Sequence, residues 1–223
     1  MISGVMNAKS HKFDINVDES SCEELLSALM HTLFFHRSTG RFRYSGENNY
    51  SIGSVGFIDV DCKVLDLTYV KSDCAELHAK LHREIVNFHQ QLMKPVNRDS
   101  GGQLHLEFFE KRRPRWPLRM EENIPWEIWT FQLKMVDFYD KEQFLQQLSS
   151  TIIEKILLIS EAITSTEYVP KIPVLSDLNL IFDTSFTNLQ PYLHRIYSTF
   201  NDETSKPVRQ VMSRMFSDTY FPV

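Results

Sequence analysis

Apolar residues in this chain change period repeatedly, from two to between three and four and back, so helices and strands must interleave along it. Phe13, Ile15 and Val17 alternate and predict a first strand. Ser21-Cys22-Glu23-Glu24 follows with the order of a capping box. Leu25, Leu26, Leu29, Met30, Leu33 and Phe34 then recur at helical spacing and predict a helix with one apolar face. His36 and Arg37 fall in its last turn, and Gly40 is placed to stop it. A β region runs from Phe42 and Tyr44 through Tyr50 to Tyr69. Within it the apolar set is even from Ile58 to Val64 and odd from Leu65 to Tyr69, which predicts a bulge or bend. Leu77, Leu81, Ile85, Phe88 and Leu92 mark a second helix, starting near Ser72 or Asp73. Leu104, Leu106 and Phe108 alternate again, and Trp126 to Tyr139 reads as a long strand. After a cap at Asp140 to Gln143, a third helix carries Phe144, Leu148, Ile152, Ile156 and Ile163. Glu167 to Pro173 is extended, Asp177 to Phe182 is a short element, and Leu189 to Phe200 is a strand. A terminal amphipathic helix is capped by Ser205 and begun by Pro207, with the stripe Val208, Val211, Met212, Met215 and Phe216. The order β-α-βββ-α-ββ-α-β-α makes one α+β domain, with no repeat and no dividing linker.

Composition narrows the function. Seven glycines, none after Gly102, leave no phosphate-cradling string and no strained nucleophile elbow. The balance of 24 basic against 29 acidic residues disfavours a chain-wide nucleic-acid or membrane coat. Cys22, Cys62 and Cys74 are odd in number and unpaired in spacing, which suits a reducing compartment. The start lacks a basic stretch followed by an apolar run, and the longest apolar run is Ile156 to Ile159. A soluble, cytoplasmic chain is expected.

Two clusters could hold a metal. His78 and His82 stand at i, i+4 on the second helix, with Glu84 and His89 near in sequence. Asp59 and Asp61 share one strand face and could hold Mg²⁺. Solvent-facing histidines and a half-exposed polar strand are the simpler readings. Cys62 sits with the apolar set and reads as a small core residue. No nucleophile–base spacing recommends itself.

The segment from Glu110 to Met120 packs five basic residues around Trp116-Pro117-Leu118. Its charge and two prolines exclude a core strand or helix. Pro117 fixes its own φ and biases Trp116 towards an extended shape. Four uses remain open: stacking on nucleic acid, contact with an anionic membrane, a protein-binding finger, or a Trp folded back onto its own domain.

Several strings taken together resemble the autophagy-related protein 101 family. They are Met30–Tyr44 (MHTLFFHRSTGRFRY), Tyr50–Gly56 (YSIGSVG), Asp59–Cys62 (DVDC), Thr68–Val70 (TYV), Arg115–Pro117 (RWP), Ile124–Thr130 (IPWEIWT), Glu167–Pro173 (EYVPKIP) and Phe182–Leu193 (FDTSFTNLQPYL). The resemblance implies a HORMA domain over residues 11–200: a mixed β-sheet backed by three helices, with a C-terminal segment that wraps the body. Residues 1–10 are expected to be an N-terminal extension and 201–223 a C-terminal helix or tail.

The resemblance also implies a non-enzymatic adaptor without a cofactor. Its expected partners are the HORMA domain of autophagy-related protein 13, which it would stabilise, and the Unc-51-like kinase complex with its scaffold subunit. An exposed finger would recruit downstream factors to the phagophore assembly site. That finger falls on Trp116, Pro117 and Leu118, with Leu118 where the family has Phe. By analogy with other HORMA dimers, Ile153, Leu157 and Leu158 on the third helix form the candidate dimer face. The terminal stripe from Val208 to Phe216 is a candidate docking helix, or packs on its own domain. No nucleic acid and no transmembrane segment are expected. A metal-assisted enzyme using Asp59/Asp61 or His78/His82 is the alternative from another class.

Overall fold

A computed structural model describes residues 8–98, 100–113, 121–166 and 168–200. In chain order its elements are β1 (Lys9–Val17), α1 (Cys22–His36), β2 (Ser38–Gly40), β3 (Phe42–Tyr44), β4 (Tyr50–Ile52), β5 (Phe57–Asp61) and β6 (Thr68–Ser72). There follow α2 (Ala75–Leu92), the single turn α3 (Pro95–Arg98), β7 (Gly102–Arg112), β8 (Glu122–Met135) and α4 (Lys141–Thr164). A 3-10 turn at Leu175–Asp177, the single turn α5 (Leu178–Ile181), β9 (Leu189–Pro191) and β10 (His194–Phe200) complete it. The fold is α+β, and its mixed sheet with three long helices is consistent with a HORMA-like architecture.

The main sheet has the order β1-β8-β7-β10. β1 runs parallel to β8, while β8–β7 and β7–β10 are antiparallel. Period-two alternation sorts its two faces. Leu104 and Leu106 lie opposite Phe131 and Trp129, and all four are buried in the core with the long helices. Gln103, His105 and Glu107 fall on the other, polar face, where the ring nitrogens of His105 each lie 3.0 Å from a threonine hydroxyl, of Thr130 and Thr199.

The α1 helix departs from the expected single apolar face. Leu25, Leu26, Ala28, Leu29, Met30, His31, Thr32, Leu33 and Phe34 are all buried. It packs against α2, α4 and β6, so it is enclosed nearly all round, and its weak amphipathicity is that of a central helix. The α2 stripe is as spaced in the sequence: Leu77, Leu81, Ile85, Phe88 and Leu92 are its buried residues.

Local signals were rerouted in several places. Ser21 stands at the N-cap position of α1, but its hydroxyl donates to the Asp18 carboxylate and accepts no N–H from the helix. Glu24 does not close a capping box either. It accepts the backbone N–H groups of Lys63, Val64 and Leu65 at 2.7, 2.9 and 3.1 Å. Gly40 does not end the helix; α1 stops at His36 and Gly40 belongs to β2. A Cβ there would lie 1.7 Å from the Gly53 carbonyl oxygen, so glycine is required by close backbone approach. The change of phase after Val64 is a hairpin between β5 and β6, not a bulge inside one strand. The expected strand from Leu189 to Phe200 is two strands, β9 on β2 and β10 on β7. Between them the Tyr192 N–H donates to the Arg37 carbonyl and the Leu193 N–H to that of Ile181.

β1 begins at Lys9, two residues before the expected domain boundary. Trp116, Pro117 and Leu118 lie outside the described residues, as does the whole terminal stripe of Val208, Val211, Met212, Met215 and Phe216.

Candidate partner-binding surface

The α4 helix is built to be held from one side. Asp140 caps it by accepting the Gln143 N–H at 3.1 Å, and Phe138 stacks on Phe144 beside that cap. Leu148, Ser149, Ile152 and Ile159 face the core and are buried. Polar contacts fix both ends. Lys141 reaches Asp18 at 3.3 Å near the start, and Lys9 donates to the Ala162 carbonyl at 3.2 Å near the end. In the middle the Lys155 ammonium lies 5.5 Å from the Phe13 ring centre.

Ile153, Leu157 and Leu158 take no part in that attachment. They are 44%, 64% and 39% exposed on the outward side. Ile153 and Leu157 are spaced i, i+4 and so stand one above the other. On the neighbouring α1, Phe35 is 41% exposed, one residue before His36, whose Nε2 lies 3.4 Å from the Ser160 hydroxyl of α4. Sequence reading missed Phe35. No local signal marked it, because adjacent pairs of the same helix, such as Leu25-Leu26 and Leu33-Phe34, are both buried.

The base of the Trp116 loop is described on both sides. Arg112 lies 3.5 Å from Glu110, Lys111 3.5 Å from Glu121, and Arg113 2.8 Å from Asp177. Each of these cations therefore faces a carboxylate, which lowers the positive potential that a phosphate backbone would need.

The metal candidates separate. Asp59 and Asp61 are both exposed on β5, and Asp61 accepts the Thr68 hydroxyl at 2.6 Å. His78 and His82 are exposed on α2, with ring centres 6.2 Å apart. His78 Nδ1 lies 3.3 Å from Nε2 of the buried His31, and His89 pairs with Glu23 at 2.7 Å. Among the described residues no three His, Cys, Asp or Glu side chains converge as a metal site. Burial pushes the Cys22 thiol up to about 12 and the Cys62 thiol up to about 11, with nearby carboxylates adding to both. Neither is a thiolate nucleophile near neutral pH. Among the described residues no helix is long and apolar enough to cross a membrane.

The chain matches known proteins over most of its length. The family model described as Autophagy-related protein 101 matches residues 14–176. Autophagy-related protein 101 of Homo sapiens is 36% identical over 217 residues, covering 96% of this chain and 99% of the relative. The Xenopus tropicalis protein of that name gives the same identity and coverage. The Arabidopsis thaliana protein of that name is 26% identical over 125 residues, covering 55% of this chain and 51% of the relative. With the family model matching well over half of it, the chain belongs to the autophagy-related protein 101 family.

Proposed function

We propose that this chain is a non-enzymatic adaptor of the autophagy-initiation kinase complex. Its outward α4 face pairs with the HORMA domain of autophagy-related protein 13 and stabilises it. The observation that carries this reading is the exposure of Ile153, Leu157 and Leu158 on a helix already anchored at both ends. A large part of each side chain stays in water, and burying that apolar area against a partner gains roughly 25 cal/mol per Å² before ordering costs.

The complex would hold the chain beside the Unc-51-like kinase and its scaffold subunit. Trp116, Pro117 and Leu118 would then act as the finger that recruits downstream factors to the phagophore assembly site. Support for a protein-binding finger, over a nucleic-acid one, comes from the carboxylates facing Lys111, Arg112 and Arg113 at its base. The stripe from Val208 to Phe216 would offer a further docking helix for a partner of the complex.

Co-expression of the full chain with the partner HORMA domain tests the pairing. The wild type should co-purify in equal amounts and raise the partner's yield. Ile153→Asp combined with Leu157→Asp should abolish both effects while the chain stays folded. Unchanged co-purification would remove the α4 face from the reading. Trp116→Ala should keep the pairing and lose recruitment of downstream factors. Loss of folding in that variant would mean that the Trp covers its own domain.

A further inference from the structure

His194 opens β10 where four parts of the chain meet. Its ring lies edge-on to Phe34 of α1, with centres 4.7 Å apart. Its backbone pairs opposite Phe108 of β7. Its Nδ1 lies 2.9 Å from the Tyr192 carbonyl oxygen, and its Nε2 lies 2.8 Å from the Lys80 ammonium of α2. A lysine ammonium only donates. Nε2 is therefore the acceptor, the ring proton sits on Nδ1, and Nδ1–H donates to Tyr192. Both bonds exist together only for the neutral ring in this one tautomer.

The same lysine gathers the chain that leads into β10. Lys80 Nζ is 3.8 Å from Asp183 and 5.5 Å from the Phe186 ring centre. One turn earlier on α2, Glu76 accepts the Thr187 N–H at 3.0 Å. Beyond His194, β10 is an edge strand among the described residues, paired with β7 in the main sheet. Residues 201–223 continue directly from its end.

We propose that the Lys80–His194 contact is an acid-released latch, which holds β10 on the domain. A proton on Nε2 would set an N–H against the ammonium where a lone pair now meets it, and the contact would turn repulsive. The charged groups facing the ring are Lys80 from α2 and Asp183 from the connection between α5 and β9. α1 and β7 present Phe34 and Phe108, which carry no charge. Asp183 favours the protonated ring; its Oδ1 accepts the N–H and hydroxyl of Ser185 at 3.0 and 2.6 Å, and its Oδ2 faces Lys80 at 3.8 Å.

Burial first, and then Lys80, hold the imidazole of His194 down to about 4 from an ordinary 6.5, against the Tyr192 carbonyl and Asp183. The sign follows from linkage. The latched ring refuses a proton that the released ring accepts below 6.5, so release grows as pH falls from 6.5 towards 4. Each pH unit well inside that window multiplies the opening constant roughly tenfold.

Amide hydrogen exchange of the full chain between pH 7.5 and 5.0, corrected for intrinsic rates, tests the latch. Residues 194–200 should open increasingly as pH falls, while β1 and β8 stay protected. Lys80→Met should blunt that pH dependence, because it removes the ammonium that opposes the ring proton while the burial remains. His194→Gln should remove most of it, leaving the smaller part that belongs to the half-buried His105 against Thr199. Where His194→Gln does not fold, the ¹⁵N shifts of the wild-type ring at pH 7 decide instead, and must report the Nδ1–H tautomer. The proposal is overturned by an Nε2–H tautomer, by an identical pH profile in Lys80→Met, or by opening of the whole domain together.

Discussion

Arg37 and Glu127 form a bidentate pair in the interior: Arg37 Nε and Nη2 each donate at 2.7 Å to a separate oxygen of the Glu127 carboxylate. Their side chains are 5% and 0% exposed. The guanidinium also lies 5.2 Å from the Trp126 ring centre, and the Arg37 carbonyl accepts the Tyr192 N–H at 3.1 Å. One residue therefore joins the end of α1, the central strand β8 and the chain entering β10. Arg37→Ala should cost about 3–5 kcal/mol in urea unfolding, because a carboxylate is left without a partner in a dry site. Replacing both residues, Arg37→Met with Glu127→Met, should recover much of that loss. A double variant as unstable as Arg37→Ala would show that the cost is packing and not the unpaired charge.

Glu24 is a second long-range tie. Its carboxylate collects three successive N–H groups from the turn between β5 and β6. All three bonds go to this one carboxylate in a partly exposed turn, so Glu24→Ala should cost about 1–2 kcal/mol. Amide exchange in residues 62–67 should rise more than in α1 itself. Glu24→Gln keeps one acceptor oxygen and should show a smaller rise. Equal protection of the turn in Glu24→Ala and wild type would contradict this role.

Much of the framework was legible because apolar period reports burial directly. The stripe Leu77, Leu81, Ile85, Phe88 and Leu92 could be read residue by residue, since α2 covers the core from one side only. α1 was read as one-faced because its inward residues do show helical spacing, and nothing local reveals that α2 and α4 also cover its flanks. Ser21 and Glu24 had capping-box spacing, yet Ser21 turns to its near neighbour Asp18 and Glu24 to tertiary donors in place of the helix end. Gly40 looked like a helix stop, and only the approach of the Gly53 carbonyl shows its use. For the site, Ile153, Leu157 and Leu158 stood out as surplus to their stripe. Phe35, Arg37 and His194 did not, because their roles depend on partners more than 85 residues distant or on another helix.

His31 gives the domain an acid sensitivity of its own. It is 3% exposed, stacked between Tyr69 and His78 with ring centres 5.9 and 5.4 Å away. Burial first, then His78 and Lys71, push its imidazole down to about 3 from 6.5. A folded-state value below the unfolded one means stability is fully present above 6.5 and is lost as pH falls through the window to about 3. One such group contributes a slope of at most about 1.4 kcal/mol per pH unit. Urea unfolding at pH 7.5, 6.0 and 5.0 should therefore show falling stability. His31→Phe keeps a ring in the stack and should show a shallower fall over the same range. Parallel curves for the two proteins would exclude His31 as the source.

Leu148 and Leu157 sit on opposite sides of α4 and should separate stability from binding. Leu148 is buried, and Leu148→Ala leaves a cavity that should cost about 2–5 kcal/mol. Leu157 is 64% exposed, and Leu157→Ala should change stability by no more than about 0.5 kcal/mol. Binding should rank the two the other way. If the α4 face meets the partner HORMA domain, Leu157→Ala should weaken the complex by about 1–2 kcal/mol, or roughly 5- to 30-fold in Kd. Leu148→Ala should leave Kd near the wild-type value at temperatures where it remains folded. Isothermal titration of each variant, paired with its unfolding curve, reads both quantities. A Leu157→Ala variant with wild-type affinity would place the partner on another surface.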